Sequence, residues 1–245
     1  MTDPMIVSGT TNDLDSLRQK LIAGSEKVQQ QIIPQLADLG NDGLDVLKEF
    51  LLKRRDTPAT WIDGKVYQVI YNTNAPTDQE FLQTNFPEGI VPLKSDCGIS
   101  YNSLQKLLAN QDFQAADLLT IQKMCEAASP QAVQRKWLYF TEVEGLPIQD
   151  LRTINQLWVV HSEGKFGFSV QREIWLGLSK NWVNLWPKID WKNVNNWTRY
   201  PNGFTWDLTA PRGHLPLSNQ LQSLYIVSSK AHEKLRQYLL LVHLI

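Results

Sequence analysis

Apolar residues recur three and four positions apart along most of this chain, in short runs broken by glycine or proline. Leu14, Leu17 and Leu21 form one stripe, Val28, Ile32, Ile33, Leu36 and Leu39 a second that Gly40 closes, and Leu44, Leu47, Phe50 and Leu51 a third. That spacing lines up one face of an α-helix and predicts short amphipathic helices over residues 12 to about 55. Helices this short, joined by glycine-containing turns, suggest a small bundle or a single solenoid-like unit. Val66, Tyr67, Val69, Ile70 and Tyr71 suit a helix or a strand, being β-branched and aromatic. Thr77-x-x-Glu80 ahead of Phe81 and Leu82 has the pattern of a capping box and predicts that a helix resumes there. Phe86-Pro87-Glu88-Gly89 then breaks it, and Ile90-Val91-Pro92-Leu93 reads as an extended connector. The expected division is an N-terminal helical domain over residues 1–90 and a second domain over 91–245.

Helical spacing returns with Tyr101, Leu104, Leu107 and Leu108, and again with Phe113, Ala116, Leu119, Ile121 and Met124, before Ser129-Pro130 interrupts. Asp150 is the expected N-cap of a stripe through Leu151, Ile154, Leu157 and Trp158, and Ser169 that of a helix carrying Val170, Ile174, Trp175 and Leu178. The fold class expected is therefore all-α. From Trp182 to Pro216 the period fades into Trp, Pro, Gly and Asn. A long irregular stretch is either functional or disordered, and its aromatic content argues against disorder. Eight of the nine tryptophans lie between Trp137 and Trp206; the first half holds Trp61 alone.

The remaining composition mostly excludes. With 24 Lys+Arg against 25 Asp+Glu, there is no general attraction to nucleic acid or anionic membrane. No apolar run approaches a bilayer's thickness, the N-terminus lacks a secretory pattern, and Cys97 and Cys125 form neither a metal spacing nor a disulfide framework, so the expected compartment is the cytoplasm. There is no phosphate-binding glycine loop, histidine pair at helical spacing or nucleophile elbow, so no catalytic residue and no protein ligand to a metal is assigned. Glu142 and Glu144 alternate as solvated surface carboxylates do, and His161 follows a predicted helix, where a cation is favourable. His214, in Pro211-Arg212-Gly213-His214-Leu215-Pro216, suits a ligand contact or a bond to a backbone carbonyl equally.

Trp158 and Trp175 fall at helix-core spacing. The run 191–206, from Trp191 through Trp197, Arg199, Tyr200 and Phe204 to Trp206, instead sets rings beside Lys192 and Arg199. A flat, apolar, dianionic ligand wants that combination, with rings over its faces and cations at its carboxylates; residue type alone does not separate it from a carbohydrate or peptide site.

Several segments then become specific in their order. Trp137-Leu138-Tyr139-Phe140-Thr141-Glu142-Val143-Glu144, Asp150-Leu151-Arg152-Thr153-Ile154-Asn155, His161-Ser162, Phe166-Gly167-Phe168-Ser169-Val170-Gln171, Gly203-Phe204-Thr205-Trp206-Asp207-Leu208 and Gly213-His214-Leu215-Pro216 follow one another. Over about residues 95 to 225 the chain resembles the genomes-uncoupled-four family, porphyrin-binding stimulators of magnesium chelatase in oxygenic phototrophs, and its N-terminal part resembles the accessory domain of cyanobacterial members. The resemblance implies an all-helical core shaped like a cupped hand that holds protoporphyrin IX or magnesium-protoporphyrin IX. It also implies a regulator of chlorophyll biosynthesis rather than an enzyme, acting with the large porphyrin-binding subunit of the chelatase and, through that partner, at the periphery of photosynthetic membranes. The implied porphyrin-binding residues are Val133, Phe140, Trp197, Arg199, Tyr200, Phe204, His214, Gln222 and Tyr225. Tyr200 stands where members often carry Trp, and Gln222 and Tyr225 where they carry Arg. The second departure removes two cations able to pair with propionates, leaving Arg199 or Arg212 as substitutes. It keeps open an alternative, a paralogue whose core is a protein-interaction module with weakened or altered porphyrin binding.

Overall fold

The computed structural model describes residues 7–194 and 196–217, with the side chains of residues 7–12 and of Phe140 left out. Its twelve described helices are joined by turns and one two-stranded hairpin, and the chain divides into two compact units, Met1–Ile90 and Val91–Ile245.

The first unit contains α1 (Val7–Ala23), α2 (Glu26–Asp38), α3 (Asn41–Arg54), α4 (Trp61–Asn72) and α5 (Pro76–Asn85). The three leucine-isoleucine stripes form the core: Leu21, Ile33, Leu36 and Leu47 are fully buried. Gly40, at φ +67, makes the turn between α2 and α3, a backbone conformation that costs glycine little. The ambiguous 66–71 segment is helical, within α4. Its apolar Val66 and Ile70 lie one turn apart and are both buried, so packing overrides β-propensity. The capping box lies elsewhere than expected. Ala75 is the N-cap of α5 and makes no side-chain cap bond, whereas Thr60 and Asp63 cap α4 reciprocally. Asp63 also receives Arg54 at 2.5 Å, and buried Asp78 receives Lys48 at 2.6 Å and the Thr73 hydroxyl at 2.7 Å, so two carboxylates fasten α3 to the segments after it.

The second unit contains α6 (Asn102–Ala109), α7 (Phe113–Ala128), α8 (Pro130–Arg135), α9 (Phe140–Glu144), α10 (Ile148–His161), α11 (Phe168–Gly177) and α12 (Trp182–Lys188), then β1 (Lys192–Asn193) antiparallel to β2 (Asn196–Trp197). Trp158 is its centre. The indole is fully buried, donates to the Thr120 hydroxyl at 2.9 Å and stacks on Phe113, which meets Phe166 edge-on. Burial of each such ring contributes about 1.5–3 kcal/mol.

Three side chains play parts other than those expected. Asp150 is not an N-cap: Pro147 is, and the Asp150 carboxylate gathers the Ser95 hydroxyl, the Asp96 amide and the Tyr101 hydroxyl, fixing the connector onto α10. Ser169 lies inside α11, whose N-cap is Gly167, and donates its amide to Asn155 Oδ1 at 2.9 Å. His161 closes α10 but is fully buried, and burial pushes its imidazole down to about 3; it is neutral and adds no positive charge to the helix end.

Candidate functional site

The aromatic residues form two groups. The first is at the junction of α8 and α9. Ser129 caps α8 by accepting from the Ala132 amide, Pro130 supplies a fixed φ in the first turn, and Lys136, at φ +64, ends the helix. The chain bends at Trp137 and is extended at Tyr139, and the side chains alternate: Leu138 is buried while Trp137 and Tyr139 stand 36% and 48% exposed. Glu142 holds this junction. Its carboxylate receives Arg135 at 2.5 Å, the Tyr139 amide at 2.8 Å and the Ser129 hydroxyl at 3.0 Å. Hydrogen bonds from Arg135 and then from the Tyr139 amide hold its carboxyl below the usual range, so it is a tethered group rather than a freely solvated one. The Arg135 guanidinium lies 4.3 Å from the Tyr139 ring centroid and 5.2 Å from that of Trp137, and the two rings meet edge to face at 4.5 Å. Val133 is 43% exposed on the same junction. Phe140 opens α9, and its side chain lies outside what is described.

The second group runs from Trp175 to His214. Trp175, Trp182, Trp186 and Trp191 follow one another with centroids 4.9, 5.4 and 5.8 Å apart, and Trp197 joins Trp186 at 5.8 Å. Trp175, Trp186 and Trp191 are buried and Trp182 and Trp197 half-buried, so much of the tryptophan stretch is core. Lys192 lies over Trp197 at 5.4 Å, placed there by the hairpin register that pairs those two residues. Tyr200, Phe204 and Trp206 form a further ring cluster: Trp206 meets Tyr200 at 5.9 Å and Phe204 at 6.0 Å, and its indole donates to the Pro201 carbonyl.

Of the expected binding residues in this group, Trp197 and Tyr200 are half-buried and Arg199 is exposed, with no carboxylate partner among the described residues. Phe204 is buried, only 6% exposed, and packs on His214. His214 is itself fully buried. Its Nδ1 lies 2.7 Å from the Ile189 carbonyl, and its Nε2 accepts the Thr205 amide at 3.2 Å. Both ring nitrogens are therefore engaged with backbone, and burial holds the imidazole below its ordinary range. This realises the backbone alternative, with the ring tying the loop to the Ile189 carbonyl and the Thr205 amide. Arg212 pairs with Glu173 at 2.5 Å. Gln222 and Tyr225 lie outside the described residues. Arg135, Trp137 and Tyr139 were not among the expected site residues. Their signal was the alternation of two rings around a leucine, two residues after an arginine.

Comparison with known proteins completes the picture. Residues 94–234 match the GUN4-like family, and residues 5–87 match the ARM-like repeat domain found at the N-terminus of such proteins. The chain belongs to the GUN4-like family. It is 50% identical over 221 residues to a Ycf53-like protein of a Synechocystis species, covering 89% of this chain and 94% of that one. It is 35% identical over 136 residues to a chloroplastic protein of Arabidopsis thaliana described as tetrapyrrole-binding, covering 52% of this chain and 51% of that one. The solved structure of GUN4 from Chlamydomonas reinhardtii superposes with a TM-score of 0.53 at 38% identity, covering 61% of this chain and 89% of that one. The all-α class expected from sequence agrees with this GUN4 likeness, the short β1–β2 hairpin being the exception among the described residues. No helix among the described residues is long and apolar enough to cross a membrane.

Proposed function

We propose that the chain binds protoporphyrin IX and magnesium-protoporphyrin IX through its second domain, residues 91–245. It acts without catalysis of its own as a stimulator of magnesium chelatase in chlorophyll biosynthesis, presenting the porphyrin to the large porphyrin-binding subunit. Residues 1–90 form the accessory domain, and any membrane association is peripheral, through the partner. Family membership and the tetrapyrrole-binding name of the Arabidopsis relative support this reading. The observation that carries it is the exposed cluster of Val133, Trp137 and Tyr139 around Arg135, a set of apolar surfaces with a cation held among them.

Burying on the order of 400 Å² of macrocycle supplies roughly 10 kcal/mol at about 25 cal/mol per Å². Lost freedom on association offsets about 4–15 kcal/mol of that. Contacts to the propionates, about 1.5–3 kcal/mol each, then decide whether binding is useful. Arg199, exposed and without a carboxylate partner among the described residues, is the cation we assign to this contact, since Arg212 is tied to Glu173.

Titration of protoporphyrin IX and its magnesium complex, followed by tryptophan emission and porphyrin absorbance, tests the proposal. Saturable quenching is expected, weakened by Tyr139→Ala and Tyr200→Ala for either porphyrin and by Arg199→Ala through loss of a propionate contact. Emission and absorbance unchanged across the micromolar range would refute it. The departures at Gln222 and Tyr225 and the engaged Arg212 favour one second reading, a protein-docking module with altered porphyrin binding. In that case Trp137→Ala weakens capture of the chelatase subunit even without porphyrin.

A further inference from the structure

A groove of about 490 Å³ opens where the connector after the first domain crosses α10 and meets the start of α11. It shares no lining residue with either aromatic group. Gln149, Arg152 and Gln156 come from one face of α10 at three- and four-residue spacing, with buried Thr153 and Asn155 beside them. Pro92 and Lys94 form the connector's side, held down by the Thr153 hydroxyl donating to the Lys94 carbonyl at 2.6 Å. Ser169, in the first turn of α11, lines the groove as well.

The approach of α11 depends on Gly167. Its φ is +132, and a Cβ there would lie 2.8 Å from Val159 Cγ2 and 3.1 Å from Asn155 Oδ1. With no side chain at that point, Asn155 Oδ1 accepts the Ser169 amide at 2.9 Å. That bond fixes which way the amide lies. The oxygen is committed to the helix; Asn155, only 5% exposed, lines the groove, and its Nδ2, a double donor, has no hydrogen-bond partner among the described residues.

The charge balance of the lining is one-sided. Lys94 and Arg152 line it, and no Asp or Glu does. Pro92 is the only apolar lining side chain and no aromatic ring is among the lining residues, so the groove is unsuited to a flat macrocycle. Its size is that of a small-molecule site. Two cations, an unpaired buried amide donor, a hydroxyl and the positive end of a helix converge, an arrangement that recognises negative oxygen atoms.

We propose that this groove is a second binding site, separate from the porphyrin face, for a small hydrophilic anion carrying phosphate or carboxylate groups. Arg152 and Lys94 supply charge, Asn155 Nδ2 and the Ser169 hydroxyl supply direction, and the anion's hydrophilic remainder lies against Gln149 and Gln156.

Amide-resolved NMR of the full chain, titrated separately with sodium phosphate and with citrate, tests it, with sodium chloride of matched ionic strength and sorbitol as controls. Saturable shifts of the Ser169 backbone amide and the Asn155 side-chain amide are expected. Saturation by phosphate alone, by citrate alone or by both identifies the head group. Arg152→Gln and Lys94→Gln should each weaken binding about tenfold, the loss of one charged hydrogen bond. Asn155→Asp keeps the oxygen that accepts from Ser169 and exchanges the Nδ2 donor for a second carboxylate oxygen, so it should abolish binding while the rest of the spectrum stays folded. Shifts that chloride reproduces, no shift with either anion, or variants that bind as wild type does would each overturn the proposal.

Discussion

Asp117, His161 and His214 place three ionisable side chains in the core of the second unit, and their pH dependences oppose one another. Burial pushes the Asp117 carboxyl up to about 8; Oδ1 accepts the Leu217 amide at 2.6 Å, while Oδ2 has no partner among the described residues. The folded value lies above the unfolded one, so Asp117's contribution is complete below about pH 4 and is lost as pH rises toward 8. His161 does the reverse: its folded value is about 3 against an unfolded value near 6.5, so its contribution is complete above about pH 6.5 and is lost as pH falls. His214 is shifted in the same direction as His161. Between about pH 4 and 6.5 the slopes of Asp117 and His161 oppose each other at roughly 1.4 kcal/mol per pH unit each. Asp117→Asn keeps an acceptor for Leu217 and removes one of them. Its stability should fall more steeply toward acid than that of wild type, and should exceed wild type increasingly from pH 6.5 to 8; urea unfolding at about pH 5, 6.5 and 8 checks both signs. His214→Ala leaves the Ile189 carbonyl and the Thr205 amide without the ring that joins them, at a cost of about 2–4 kcal/mol. Porphyrin affinity should fall only as far as the loop loosens, which separates a supporting residue from a contact when unfolding and titration are measured on the same variant.

At the scale of elements, backbone freedom at single glycines decides how closely helices approach. Gly167→Ala places a methyl group 2.8 Å from Val159 Cγ2 at φ +132 and should cost about 2–3 kcal/mol, appearing as faster amide hydrogen exchange in the first turn of α11. In the first unit, Thr60→Ala removes one half of the α4 capping box and should cost about 1 kcal/mol in thermal unfolding. The helices themselves were legible because their apolar stripes repeat at helical spacing, as in Ile32, Ile33 and Leu36. Caps were less legible because a hydroxyl or carboxylate near a helix start has several possible partners. Asp150 looked like a cap and serves three donors from residues about fifty positions away. Thr77 and Glu80 have the spacing of a box, but Pro76 already begins the helix one residue earlier. At the site, sequence located the aromatic loop but not which rings turn inward. Phe204 and His214 are buried by contacts between residues 189 and 214 that no local spacing encodes, and Trp137 and Tyr139 are exposed because buried Leu138 lies between them.

For the whole molecule, the two units differ in what fills them. The first is aliphatic, built on Leu21, Ile33, Leu36, Leu47, Val66 and Ile70, and the second is ring-rich around Trp158, Trp186 and Trp191. A fragment of residues 1–90 should therefore unfold cooperatively by itself, as a single sigmoidal loss of helical circular dichroism on heating; a broad, featureless decline would show that it depends on the rest of the chain. The tryptophan succession of the second unit also has an optical consequence. Indoles whose centroids are about 5 to 6 Å apart, from Trp175 through Trp182, Trp186 and Trp191 with Trp197 beside them, exchange electronic excitation faster than any one of them radiates. Light absorbed anywhere in the series samples the others, so an acceptor dye or pigment settling near Trp197 darkens the set together, and replacing one distant member by phenylalanine changes the brightness of all.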